Sequence, residues 1–135
     1  MQQNTCLNRR TLLGGAATLA VGAPLLAACA GGDEAAPAPD TGTVLARTGE
    51  IPVGGGKILE SERIVITQPT EGEFKAFSAI CTHQACVVTG VTQTIDCSCH
   101  QSHFALTDGS VQGGPAPEAL PEIPIRIDGD AITAA

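Results

Sequence analysis

The chain of 135 residues has room for one domain rather than two. Fourteen acidic against seven basic residues leave a net charge of −7, a poor match for nucleic acid. With three Phe, no Trp and no Tyr, the core buries little area per residue, so a metal or a disulfide is expected to support it.

Residues 1–10 are polar and end in Arg9-Arg10; residues 11–28 carry no charge and are rich in Ala, Gly and Leu. This is the pattern of a signal peptide over 1–28. It is only mildly apolar, and a membrane span needs about 20 strongly apolar residues. The paired arginines before Thr11-Leu12-Leu13 resemble the twin-arginine export signal, a route for folded proteins. Leu26-Ala27-Ala28-Cys29 matches the bacterial lipobox, which predicts cleavage before Cys29 and a diacylglyceryl group on its thiol. Two acyl chains anchor stably where one does not. Loss of Arg9 and Arg10 leaves five basic residues against fourteen acids, about −9, a surface that suits a cationic protein partner.

Residues 29–42 contain nothing that can form a core, and they read as a tether with an r.m.s. span of roughly 20 Å. From Thr43 the pattern is one of short strands: Thr43–Arg47, Lys57–Leu59, Arg63–Thr67 and Glu73–Ile80, punctuated by Pro69 and Gly72. His103–Leu106 and Ser110–Gln112 flank Asp108-Gly109, and Ile123–Asp128 and Ala131–Thr133 flank Asp128-Gly129, both hairpin signals. No window after residue 30 repeats at 3.6 residues. Residues 43–135 are expected to form one small all-β domain.

Two clusters carry the chemistry: Cys81-Thr-His83-Gln-Ala-Cys86 and Cys97-Ser-Cys99-His100. Thiolate and imidazole suit zinc, copper or an iron–sulfur cluster. A Cys₂His₂ set could be a structural zinc site. Six donors are too many for one zinc and awkward for two. An exported setting favours pairing of some cysteines. Of five cysteines after the leader, one would take lipid, two would ligate metal and two would pair; of three histidines, His103 is spare.

Cys-x-His-x-x-Cys followed by Cys-x-Cys-His resembles the two boxes of the Rieske iron–sulfur family, over about residues 78–117. The likeness is to the branch found in cytochrome bc complexes and in the small subunit of arsenite oxidases. It implies an antiparallel β-sandwich with a cluster-binding subdomain of two loops. It implies a 2Fe–2S cluster with Cys81 and Cys97 on one iron and His83 and His100 on the other. It implies a disulfide between Cys86 and Cys99. Ser102 stands where the family places a serine that donates to a cluster sulfur, and Gly113-Gly114-Pro115-Ala116-Pro117 resembles the proline loop that covers the cluster.

Three departures stand out. Phe104 occupies the place of a tyrosine that hydrogen-bonds a ligand sulfur in high-potential members, which implies a lower potential here. Gln84-Ala85 replaces the Leu-Gly of quinol-oxidising subunits. Gln101 replaces a usual glycine, so the second loop is expected to differ in shape. The expected function is one-electron transfer by a lipid-anchored carrier at the outer face of the bacterial cytoplasmic membrane, rather than self-contained catalysis. Its partners would be redox proteins such as a c-type cytochrome or an oxidase large subunit. The alternatives are a Rieske subunit of a quinol-oxidising bc complex, the small subunit of an exported molybdenum oxidase, and a non-redox zinc module.

Overall fold

A computed structural model describes residues 38–135. The expected leader, Cys29 with its lipid, and most of the tether lie outside the described residues. Asp40–Gly42, read above as the end of the tether, already form a turn. Gly42 N–H donates to Ala134 O at 2.8 Å, and Gly42 takes a φ of +88°.

The architecture is antiparallel β throughout. The strands are β1 (Val44–Arg47), β2 (Gly55–Leu59), β3 (Ile64–Thr70), β4 (Glu73–Ser78), β5 (Gly90–Val91), β6 (Ile95–Cys97), β7 (Ser102–Phe104), β8 (Val111–Gly113), β9 (Ile125–Asp128) and β10 (Ala131–Ala134). One turn of 3₁₀ helix, Thr48–Glu50, follows β1. The strands make three sheets, ordered β1-β10-β9, β2-β3-β4 and β5-β6-β7-β8. Among the described residues no helix is long and apolar enough to cross a membrane.

The β2-β3-β4 sheet has a core on each face, because neighbouring residues of a strand point to opposite sides. The cross-strand row Ile58–Val65–Phe77 packs with Ile95, Cys97, Phe104 and Leu120. Ile64, Ile66 and Ala76 point the other way and pack with Ala46, Ile51 and Ile132. A strand covered on both faces reads as a continuous apolar run, which is what Ile64-Val65-Ile66 shows. Thr67 is buried on the first face, and its hydroxyl donates to Leu106 O at 2.8 Å, tying the middle sheet to the loop between β7 and β8.

Several sequence expectations shift. β3 runs through Pro69 to Thr70, because a register irregularity between Thr67 and Thr70 takes the proline out of the ladder. β9 starts at Ile125 rather than Ile123; Ile123 N–H bonds Ala76 O on the middle sheet instead. The last hairpin turns on Gly129-Asp130, one residue later than expected, with Gly129 at a φ of +62°. Asp108-Gly109 is not a tight hairpin. It lies in a wider loop closed by Ala105 N–H to Ser110 O and Gly109 N–H to Ala105 O. β5 and β6 were not foreseen, so the expected pair of loops is mounted on a four-stranded sheet.

Candidate metal centre

The first loop leaves the middle sheet after β4. Ala79 and Val88 bond across its neck, Val88 N–H to Ala79 O at 2.8 Å. At its tip Cys81 N–H donates to Cys86 O at 2.7 Å and Ala85 N–H to Cys81 O at 3.0 Å. Closing so tight a turn needs a left-handed residue, and Ala85 takes it at φ +56°. The second loop joins β6 to β7, with Cys97 opposite Ser102. There Gln101 takes φ +60°. That left-handed backbone costs a residue with a Cβ about 1–2 kcal/mol.

Cys86 and Cys99 are joined by a disulfide, with their Cα atoms 6.5 Å apart. The bridge closes a sequence separation of 13 residues, worth about 3 kcal/mol in the chain-entropy view. Cys81 and Cys97 remain free thiols, and both are buried. Burial, and then the neighbouring Cys81 thiol, push the Cys97 thiol up. His83 is half-buried and His100 exposed. Their rings meet edge to face, with centroids 4.6 Å apart.

The fold thus brings all six predicted cysteines and histidines of the two boxes together. His83 Nδ1 is the one fully buried side-chain nitrogen or oxygen among the described residues without a hydrogen-bond partner. Leaving such a nitrogen unpaired costs about 1–3 kcal/mol, which a metal bond would remove. Among the described residues, the metal-ligating atoms that cluster within 4.8 Å of one another are the sulfurs of Cys86, Cys97 and Cys99. Two of these are bonded to each other, so that trio is no free ligand set while the bridge is closed. No such trio contains a histidine. A single tetrahedral zinc draws its donors to about 3.3–3.8 Å from one another. Two thiols and two imidazoles spread more widely suit a centre with two metal atoms, one for each pair. The donor set fits a 2Fe–2S cluster.

Around this pocket the remaining residues brace the loops. Ser102 is fully buried, and its Oγ accepts Ala116 N–H at 3.2 Å, leaving its own proton free to be donated. The segment 113–117 crosses directly over the second loop. A Cβ on Gly114 would stand 2.3 Å from Gln101 O and 2.5 Å from Ser102 Cα. Thr82 Oγ1 donates to Glu118 O at 2.7 Å, fastening the first loop to the same segment. Phe104 is fully buried beside Ile95. His103 points away from the pocket, and its Nδ1 lies 2.7 Å from Asp96 Oδ1. Sequence reasoning missed Thr82 and Asp96. Nothing in their spacing marks them, since their partners are a distant carbonyl and a residue on the next strand.

Comparison with known proteins gives a consistent assignment. The family model described as Rieske 2Fe-2S domain matches residues 42–124. The cytochrome b6-f complex iron-sulfur subunit of Chlorobaculum thiosulfatiphilum is 37% identical over 89 residues, covering 64% of this chain and 49% of that protein. The cytochrome bc1 complex Rieske iron-sulfur subunit of Corynebacterium efficiens is 39% identical over 80 residues, covering 53% of this chain and 20% of that protein. The chain therefore spans about a fifth to a half of these relatives. Among solved structures, the cyanobacterial plasma membrane Rieske protein PetC3 from Synechocystis PCC 6803 superimposes with a TM-score of 0.51 at 26% identity. That match covers 61% of this chain and 86% of that one.

Proposed function

Because this chain belongs to the Rieske 2Fe–2S family, we propose that it is a one-electron carrier anchored by lipid at the outer face of the cytoplasmic membrane, with Cys81, His83, Cys97 and His100 as its cluster ligands. When bound, the cluster supplies reversible one-electron transfer, at a potential that two neutral imidazoles raise to roughly −150 to +300 mV.

The residues of the chain do the rest. Cys81 and Cys97 sit on the buried side, where water is excluded. His100 sits on the exposed side and offers the electron a short way out. The Cys86–Cys99 bridge keeps the two loops from parting. Ser102, held by Ala116 N–H, keeps its hydroxyl proton for a cluster sulfur. Such a bond favours the reduced, more negative state.

The observation that carries this reading is His83 Nδ1, buried and unpartnered at the edge of the His100 ring. Visible and EPR spectra of the purified full chain test it. A coloured protein that bleaches on reduction and then gives a 2Fe–2S signal is expected; a colourless protein holding zinc overturns it. The lipid anchor is tested separately. Cys29→Ser should move the protein from the membrane to the soluble exported fraction, and Arg9→Lys with Arg10→Lys should keep it inside.

The names of the relatives favour a second reading, an iron–sulfur subunit of a quinol-oxidising complex. Gln84, exposed and polar at the tip of the first loop, counsels against a quinol pocket as its docking place. Recovery of a cytochrome b with the tagged protein from membranes would reverse the ranking.

A further inference from the structure

Taking Cys81 and Cys97 as cluster ligands, the reading proposed above, we propose that the Cys86–Cys99 bridge also decides which metal the pocket accepts. Once the bridge is opened, the chain offers a thiophilic divalent cation of the zinc class a site made of sulfur alone. That site consists of Cys86, Cys97 and Cys99, with Cys81 as the fourth ligand.

The argument starts from distances. The sulfurs of Cys86, Cys97 and Cys99 already lie within 4.8 Å of one another. In a tetrahedral zinc–thiolate site with bonds of about 2.3 Å, sulfurs stand about 3.8 Å apart. Opening the bridge lets the bonded Cys86 and Cys99 sulfurs part to that spacing, and the Cys97 sulfur has at most about 1 Å to close, within the reach of a χ1 adjustment. Cys81 and Cys97 are both free, buried thiols of the same packed core, so the fourth sulfur belongs to the same pocket as the third. Neither imidazole joins two other donors at such range among the described residues. The pocket therefore holds two overlapping donor sets. The wider one uses His83 and His100, and the narrower one is made of sulfur. They share Cys81 and Cys97, so they exclude each other.

What separates them is the oxidation state of Cys86 and Cys99. While bridged, these sulfurs carry no charge to bind a cation and only the wider set is free. A dithiol reductant opens the bridge: its two thiols become a disulfide, and the Cys86–Cys99 bond takes up two electrons and two protons. In the empty pocket a divalent cation then replaces the protons of four thiols; in the loaded pocket it replaces the protons of Cys86 and Cys99 and displaces the cluster's iron and sulfide from Cys81 and Cys97, all released to solvent. Four thiolates are a stronger site for a zinc-like cation than two thiolates and two distant imidazoles. Cys99 is exposed, so a reductant can reach the bridge.

The test uses the full chain as purified with its cluster, incubated with Co²⁺ and then desalted, with and without a dithiol reductant. With the bridge open, iron should leave and one Co²⁺ per chain should stay, with intense sulfur-to-cobalt absorption. Bridged protein should keep its iron and retain no Co²⁺ after desalting. A His83→Ala, His100→Ala double variant should bind Co²⁺ just as well when reduced and hardly at all when bridged. Loss of binding by the reduced double variant overturns the proposal, as does the same spectrum and affinity with the bridge open or closed. Circular dichroism checks that this variant folds. If it does not, Cys86→Ser with Cys99→Ser replaces it, and a sulfur-rich cobalt spectrum from that protein overturns the proposal equally. The cluster assignment stands or falls on the spectrum before any cobalt is added, so the two failures are distinguishable.

Discussion

His103 Nδ1 and Asp96 Oδ1 stand 2.7 Å apart on the outer face of β6 and β7, directly behind the Cys97–Ser102 pair that faces the metal pocket. Thr94 Oγ1 donates to the same carboxylate at 2.6 Å and Thr92 Oγ1 at 3.1 Å, so Asp96 ties the β5–β6 turn to β7. Burial pushes this carboxyl up, but the bonds from Thr94, His103 and Thr92 outweigh it and leave Asp96 below the ordinary range. Asp96→Ala should lower stability by about 1–2 kcal/mol, read from chemical denaturation, because three donors lose their acceptor. Asp96→Asn keeps an acceptor and should lose less than half of that.

At the far end of the molecule Glu50 gives an acid dependence. Its Oε2 accepts Arg47 N–H at 3.0 Å and meets Lys57 Nζ at 3.3 Å, and these two partners hold the carboxyl below its usual value. A lowered folded-state pKa means that the stabilisation is whole above the unfolded value of about 4.3 and fades as pH falls through the folded one. Denaturation midpoints should therefore favour the natural chain over Glu50→Gln at pH 6. The two should converge as pH falls below the folded-state value.

Gly114 is where the covering segment and the second loop touch. A methyl group there meets three backbone atoms of 101–102, and the φ of +87° disfavours any side chain as well. Gly114→Ala should lift the segment away and break the Ala116 N–H bond to Ser102. The expected result is faster loss of visible absorbance on dilution or mild heating, with far-UV dichroism unchanged at room temperature. Undiminished cluster retention would show that the segment can shift without harm.

Phe104 tests the electronics. A hydroxyl added by Phe104→Tyr finds itself in a fully buried place. Donated to a ligand sulfur, its proton should raise the voltammetric midpoint; an unchanged midpoint would overturn this reading of Phe104.

The grouping of the cysteines and histidines of the two boxes was legible because metal chemistry imposes type and spacing together, and the strands with β-branched runs were legible because the middle sheet buries both faces. β5 and β6 were not. They have two and three residues, and what holds them is tertiary: Thr89 N–H to Asp96 O, the Thr92–Thr94 turn, and a hydrogen bond between the hydroxyls of Thr89 and Ser98. Gln101 shows a different gap. A sequence lists the side chain but not the φ angle, and here the surrounding contacts force a glutamine into a glycine's conformation. Pro69 misled for a similar reason, since a local irregularity can seat a proline inside a strand.

The middle sheet lends one face to each core, so neither core can come apart without stripping a wall from the other. Ile64 and Val65 are next to each other in the chain and belong to opposite halves. The metal pocket is thus mounted on a body expected to melt as one. A defect planted near Ile132, which belongs to the other core, should lower the temperature at which the colour is lost as surely as one planted beside Cys97. The lifetime of the centre belongs to the whole domain.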